Sequence, residues 1–185
     1  MKRKLSAYLK KRKFVFLIVF TAICAGMVVG AFSVVDAGVN QGAMPDQLSG
    51  KDIIIASFGE NVKFLGWIML WGSNLFGFPV IIYLLYIKGA SISAALCALV
   101  IRDSSSGIML ALSALPYIAC TIASVMILSQ GGLNCSFCLF KSMIGIRNAK
   151  GMRENVITML VEFVPATLIA LLGGVCETFI KVNIV

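Results

Sequence analysis

Apolar residues in this chain fall into blocks too long for the core elements of a globular domain, and the polar residues mark where the chain leaves each block. The first block, FVFLIVFTAICAGMVVGAFSVV, covers 14–35. At about 1.5 Å per helical residue it spans a hydrocarbon layer of roughly 30 Å. A signal peptide's apolar region is typically about 7–15 residues, so a retained transmembrane helix is the better reading, although small residues near Ala31 and Ser33 are compatible with cleavage. Gly26 and Gly30 form a GxxxG pair, which suits close packing against another helix, of this chain or of a partner.

Downstream, Ile54, Phe58, Val62 and Leu65 recur at helical spacing, with Asp52, Ser57, Glu60 and Lys63 between them. That pattern predicts a short amphipathic helix lying in the interface before the chain dives. The second span runs over 64–87, bent at Gly77-Phe78-Pro79, with Trp67 near its start and Tyr83 and Tyr86 near its end as interfacial anchors. On this reading Glu60, Asn61 and Lys63 sit at the outer interface and Lys88 marks the return to the cytoplasm. The next block, 86–102, is rich in small residues and short for a span, so it either crosses or re-enters. Two further spans follow over 107–128 and 157–180, the last broken by Pro165 and carrying Gly173-Gly174.

Charge decides the direction of these crossings. Residues 1–13 carry Lys2, Arg3, Lys4, Lys10, Lys11, Arg12 and Lys13 with no acid, so this tail is expected to stay in the cytoplasm. Segment 36–63 sets four acids against two lysines, which suits the outer face. Segment 129–156 carries Lys141, Arg147, Lys150 and Arg153 against Glu154. It lies inside only if 86–102 crosses, so five spans are expected, with the N-terminus in and the C-terminus out.

Composition agrees. Of 185 residues, 59% are hydrophobic and 13% charged, with a mean hydropathy of +0.97. A soluble domain is about half apolar and about a quarter charged. The fold class is therefore an all-α integral membrane protein: one polytopic domain over 1–185, with about five transmembrane helices and a short interfacial helix before the second. The net charge of +8 gathers beside the first span, where it contacts lipid headgroups, so no nucleic-acid partner is expected.

Candidate chemistry is sparse. The chain has no histidine, which removes Ser-His-Asp and Cys-His arrangements and His-ligated metals. Cys135 and Cys138 form a CxxC, which supplies half a zinc site or a redox pair, but reduced, ordinary cysteines in a cytoplasmic segment are the simpler reading. Glu162 and Glu177 lie in the last block, where acids serve either proton or cation movement or a structural pairing, for Glu177 with Lys181 or Arg102. Kinks at Gly77, Pro79, Pro116 and Pro165 open backbone in transporters, though kinks that shape a bundle are commoner. No Gly-rich phosphate loop exists, and no nucleophile stands with a base and an orienter. No enzyme activity, cofactor or metal is expected.

SFGENVKFLGWIMLWG followed by FGFPVIIYLLYIKG resembles the stage II sporulation protein M family of endospore-forming bacteria. The matching positions are Asn61 and Lys63, then Gly66, Trp67 and Gly72, then Gly77 and Pro79, then Lys88 and Gly89. The Leu115-Pro116 step and the Glu177 region resemble the family as well, so the likeness covers roughly 55–182. Relatives often carry a polar residue after the fourth-block proline; here it is Tyr117. The resemblance implies a non-enzymatic scaffold in the mother-cell membrane, needed when that membrane migrates around the forespore. It implies anchoring of a wall-remodelling complex with stage II sporulation proteins D and P, or equivalent wall hydrolases. Segment 36–63 and the Gly26/Gly30 helix are the expected partner contacts, and a homo-oligomer is compatible. The competing reading is a small-molecule or ion transporter subunit that uses Glu162 and Glu177.

Overall fold

A computed structural model of the chain describes residues 2–37, 50–102, 106–144 and 150–184, with side chains described over 13–34, 59–98, 111–144 and 153–176 and at three positions outside these. Five helices carry the described residues: α1 (Lys2–Ala37), α2 (Gly50–Gly72), α3 (Gly77–Arg102), α4 (Ser106–Met143) and α5 (Lys150–Ile184). Four contain stretches long and apolar enough to cross a bilayer, at Lys13–Val34, Gly77–Ala98, Ala111–Met143 and Arg153–Cys176. The protein is a polytopic helical membrane bundle.

The expected second span, 64–87, is two helices. The chain leaves α2 at Gly72, turns through Ser73, Asn74, Leu75 and Phe76, and restarts at Gly77. The Ser73 hydroxyl donates to the Met69 carbonyl, and the Gly77 N–H donates to the Asn74 carbonyl, so polar groups of the turn satisfy both helix ends. Pro79 falls in the first turn of α3, where a missing N–H costs no helical bond. The Gly-x-Pro step thus opens a helix where the sequence suggested a kink. Residues 86–102 are accordingly the second half of α3 and not a separate helix. The expected interfacial helix is likewise the beginning of α2, continuous with it; the side chains of Asp52, Ile54 and Phe58 lie outside the described residues.

Contacts at glycine fix how the helices run. A Cβ on Gly26 would overlap the Tyr86 carbonyl and one on Gly30 the Ala90 carbonyl, so α1 and α3 are parallel and in backbone contact. Gly89 completes the crossing against the Ile23 carbonyl. The α4–α5 pair is antiparallel: Gly131 packs on Met159 and Glu162, whereas Gly173 packs on Tyr117 and Cys120. Gly72 meets Gly132 where α2 crosses α4. Helices α1, α3 and α5 therefore run one way and α2 and α4 the other. The basic end of α1, Lys141 of α4 and Arg153 of α5 share one end of the bundle.

Most of 129–156 is helix, although its Ser129-Gln130-Gly131-Gly132-Leu133-Asn134 reads as a loop. Here α4 continues to Met143. Ser129, Gly131, Gly132, Leu133, Cys135 and Ser136 are all buried, because small residues let α2, α3 and α5 approach. Around this axis the core contains Val19 and Ile23 of α1, Leu65 and Ile68 of α2, Ile81 and Leu85 of α3, and Leu128 of α4.

Candidate functional site

Hairpin geometry builds a polar joint at the centre of the described bundle. Asn61 precedes Gly72 by eleven residues, and Lys88 follows Gly77 by eleven. Each side chain thus sits about 16 Å along its helix from the turn, at the same level. Asn61 is 3% exposed and makes both of its bonds to neighbouring helices. The Lys88 Nζ donates to its Oδ1 at 3.2 Å, and its Nδ2 donates to the Tyr117 hydroxyl at 3.1 Å. One amide therefore ties α2 to α3 and to α4.

Lys88 is held by more than this bond. Its Nζ stands 5.3 Å from the centre of the Phe64 ring, a cation–π contact. The Glu60 carboxylate is close enough to act on its charge. An ammonium group has three donors; the Asn61 oxygen and the ring occupy two directions. Beside the aliphatic stem of Lys88 lies an apolar cavity of about 10 Å³, lined by Ile23, Gly89, Ile92, Thr121 and Val125 as well as Lys88. That volume is about one water, but an apolar lining offers a water no partner. The Thr121 Oγ1 is buried here with no hydrogen-bond partner.

Lys88 lies at the middle of the apolar stretch Gly77–Ala98 and not at its inner end, so it is no marker of return to the cytoplasm. Asn61, Glu60 and Lys63 sit at the centre of α2, level with Lys88, and not at an outer interface. The reversal at 73–76 is the cause, because it halves the distance of both segments from one end of the bundle. Asn61 is buried, but Glu60 and Lys63 point outward and are exposed. Trp67 is exposed on the same side, and nothing lies within 4 Å of a Cβ built on Gly66.

The remaining sequence candidates separate. Gly26, Gly30 and Gly89 are used within the chain, at the α1–α3 crossing. Gly72 and Gly77 are tight for two reasons, the first against Gly132 and the second against the Trp71 carbonyl at the turn. Pro116 is inside α4 and exposed, one residue before the joint's Tyr117. Glu162 reaches Gly131 across the α4–α5 interface, far from Lys88 along α4. Glu177 belongs to α5, and its side chain lies outside the described residues, as do those of Lys181 and Arg102. Cys135 and Cys138 are not joined by a disulfide and lie buried on one face of α4, in the bundle interior and not in a loop. Tyr117 and Thr121 were not singled out by composition; the place of Tyr117 after Pro116 is the only sequence signal for it.

An all-helical bundle whose interior polar side chains bond across helices, enclosed by exposed apolar faces, is a multi-pass membrane protein. The chain belongs to the stage II sporulation protein M family, whose model matches residues 15–180. Neither curated proteins nor solved structures give a match. Family and fold together make this a sporulation membrane protein.

Proposed function

We propose that the protein is a non-enzymatic scaffold of the engulfment machinery, anchoring peptidoglycan-remodelling partners at the septal mother-cell membrane. Membership of the stage II sporulation protein M family over 15–180 carries this reading. Two features of the bundle support it. The central polar groups Asn61, Lys88 and Tyr117 bond to one another. The apolar cavity beside the Lys88 stem, at about 10 Å³, is too small for a substrate. Polar side chains spent on holding helices together suit a platform better than a reaction centre.

The partners proposed are stage II sporulation proteins D and P or equivalent wall hydrolases, recruited through the end of the bundle opposite the basic one. Under the positive-inside bias, the end bearing Lys13, Lys141 and Arg153 faces the cytoplasm, which leaves the C-terminus outside. Deletion of the gene, followed by membrane-dye microscopy during spore formation, tests the reading. Stalled migration of the mother-cell membrane is expected; normal migration would remove the assignment. Substitutions across 51–65 should release the wall hydrolases from the septum.

One observation favours a transporter subunit: the Glu162 carboxylate packs inside the α4–α5 interface, where acids are costly in lipid. Glu162→Gln with Glu177→Gln separates the two readings. A scaffold keeps its partners and supports engulfment with both charges removed, whereas a proton-coupled transporter loses its activity.

A further inference from the structure

The outward face of α2 carries an exposed acid and an exposed base. Glu60 and Lys63 are exposed at the helix centre, level with Asn61 and Lys88. Charged side chains at the centre of a bilayer are expensive, and they face protein or water in membrane proteins. No salt bridge is formed by either among the described residues, although Glu60 lies within electrostatic reach of Lys88. Pairing with each other within the helix would leave the pair facing lipid tails. The same face offers Gly59 and Gly66, one heptad apart, with nothing within 4 Å of a Cβ at either. Trp67 and Leu70 continue it, more than half exposed at 55% and 58%. An acid, a base and two uncovered glycines thus share one stripe of a membrane helix.

We propose that this stripe is the interface for a second copy of the chain, packed α2 against α2 about a two-fold axis along the membrane normal. Charge chooses the occupant. One acid and one base a single turn apart, with no net charge, form a self-complementary pattern. Under two-fold symmetry Glu60 of one copy meets Lys63 of the other, and the reverse contact follows automatically. The axial offset of about 4.5 Å between positions three apart is within reach of both side chains. The open glycines let the two backbones approach closely enough for those diagonals to close. The dimer removes both charges from lipid without a new polar group on either copy. This inference does not depend on the scaffold reading.

Energy transfer between fluorescent tags on the N-termini, measured in phosphatidylcholine/phosphatidylglycerol vesicles at rising lipid dilution, tests it. The full chain should retain transfer on dilution. Glu60→Lys alone and Lys63→Glu alone each place like charges across the axis and should weaken association about tenfold. The double exchange E60K/K63E should restore it. Gly66→Phe covers the case in which a charge reversal harms folding. It fits the isolated protomer, because that position is open, but blocks close approach, so transfer should be lost while thermal stability is kept. A chain that is monomeric in pure lipid overturns the proposal and points to a helix of another protein as the occupant. Transfer that survives Gly66→Phe, or single reversals that leave it intact, overturns it too.

Discussion

The Lys88 ammonium donates to the Asn61 side-chain oxygen at 3.2 Å, across 27 residues of sequence. In one continuous helix those residues would stand about 40 Å apart. This bond records the reversal at 73–76, and it places a lysine and an amide in the middle of the bundle.

Removing the Asn61 acceptor leaves the amine buried with fewer ligands. Asn61→Leu should destabilise the bundle by about 1–3 kcal/mol. Lys88→Met in the same chain should recover part of that loss, because it removes the group left unpaired. Unfolding by steric trapping in bicelles, run as a double-mutant cycle, gives the coupling. A coupling of zero would mean that the bond contributes nothing.

Gly26 and Gly66 make opposite predictions from the same residue type. A side chain at Gly26 meets the Tyr86 carbonyl, whereas one at Gly66 meets nothing within 4 Å. Gly26→Leu should separate α1 from α3 and make the chain sensitive to protease in mild detergent. Gly66→Leu should leave the protomer as resistant as the parent chain. Equal sensitivity of the two would contradict the α1–α3 crossing.

Ser73 lies in the exposed turn between α2 and α3. Ser73→Cys should react with an impermeant maleimide in inside-out vesicles and remain silent in intact cells. Had 64–87 been one bent span, the same cysteine would be buried in lipid and react from neither side. The native Cys135 and Cys138, buried in α4, should stay unlabelled from outside.

Thr121 carries a buried hydroxyl with no hydrogen-bond partner. Thr121→Val keeps the shape and removes the unmatched group, so thermal stability should hold or rise by about 1 kcal/mol. A loss larger than that would show that the hydroxyl is engaged.

Much of this protein is determined by its sequence alone. Apolar blocks of membrane length force helices, because no other open structure satisfies its backbone in lipid. The family likeness rests on residues in order, and the basic clusters share one end of the bundle as charge bias requires. Only the tertiary structure decided what the polar residues at 60–63 and Lys88 do. A Gly-x-Pro step is compatible with a kink or with a new helix, and local pattern does not choose between them. Packing chooses, since Gly26, Gly30 and Gly89 draw α1 onto α3 and Gly72 seats α2 on Gly132. Once the chain doubles back, Asn61 and Lys88 meet at mid-bundle, whereas Glu60 and Lys63 are left facing outward. Ser129 to Ser136 tells the same story from the other side: a composition that reads as a loop becomes buried helix, because burial against neighbouring helices outweighs local preference.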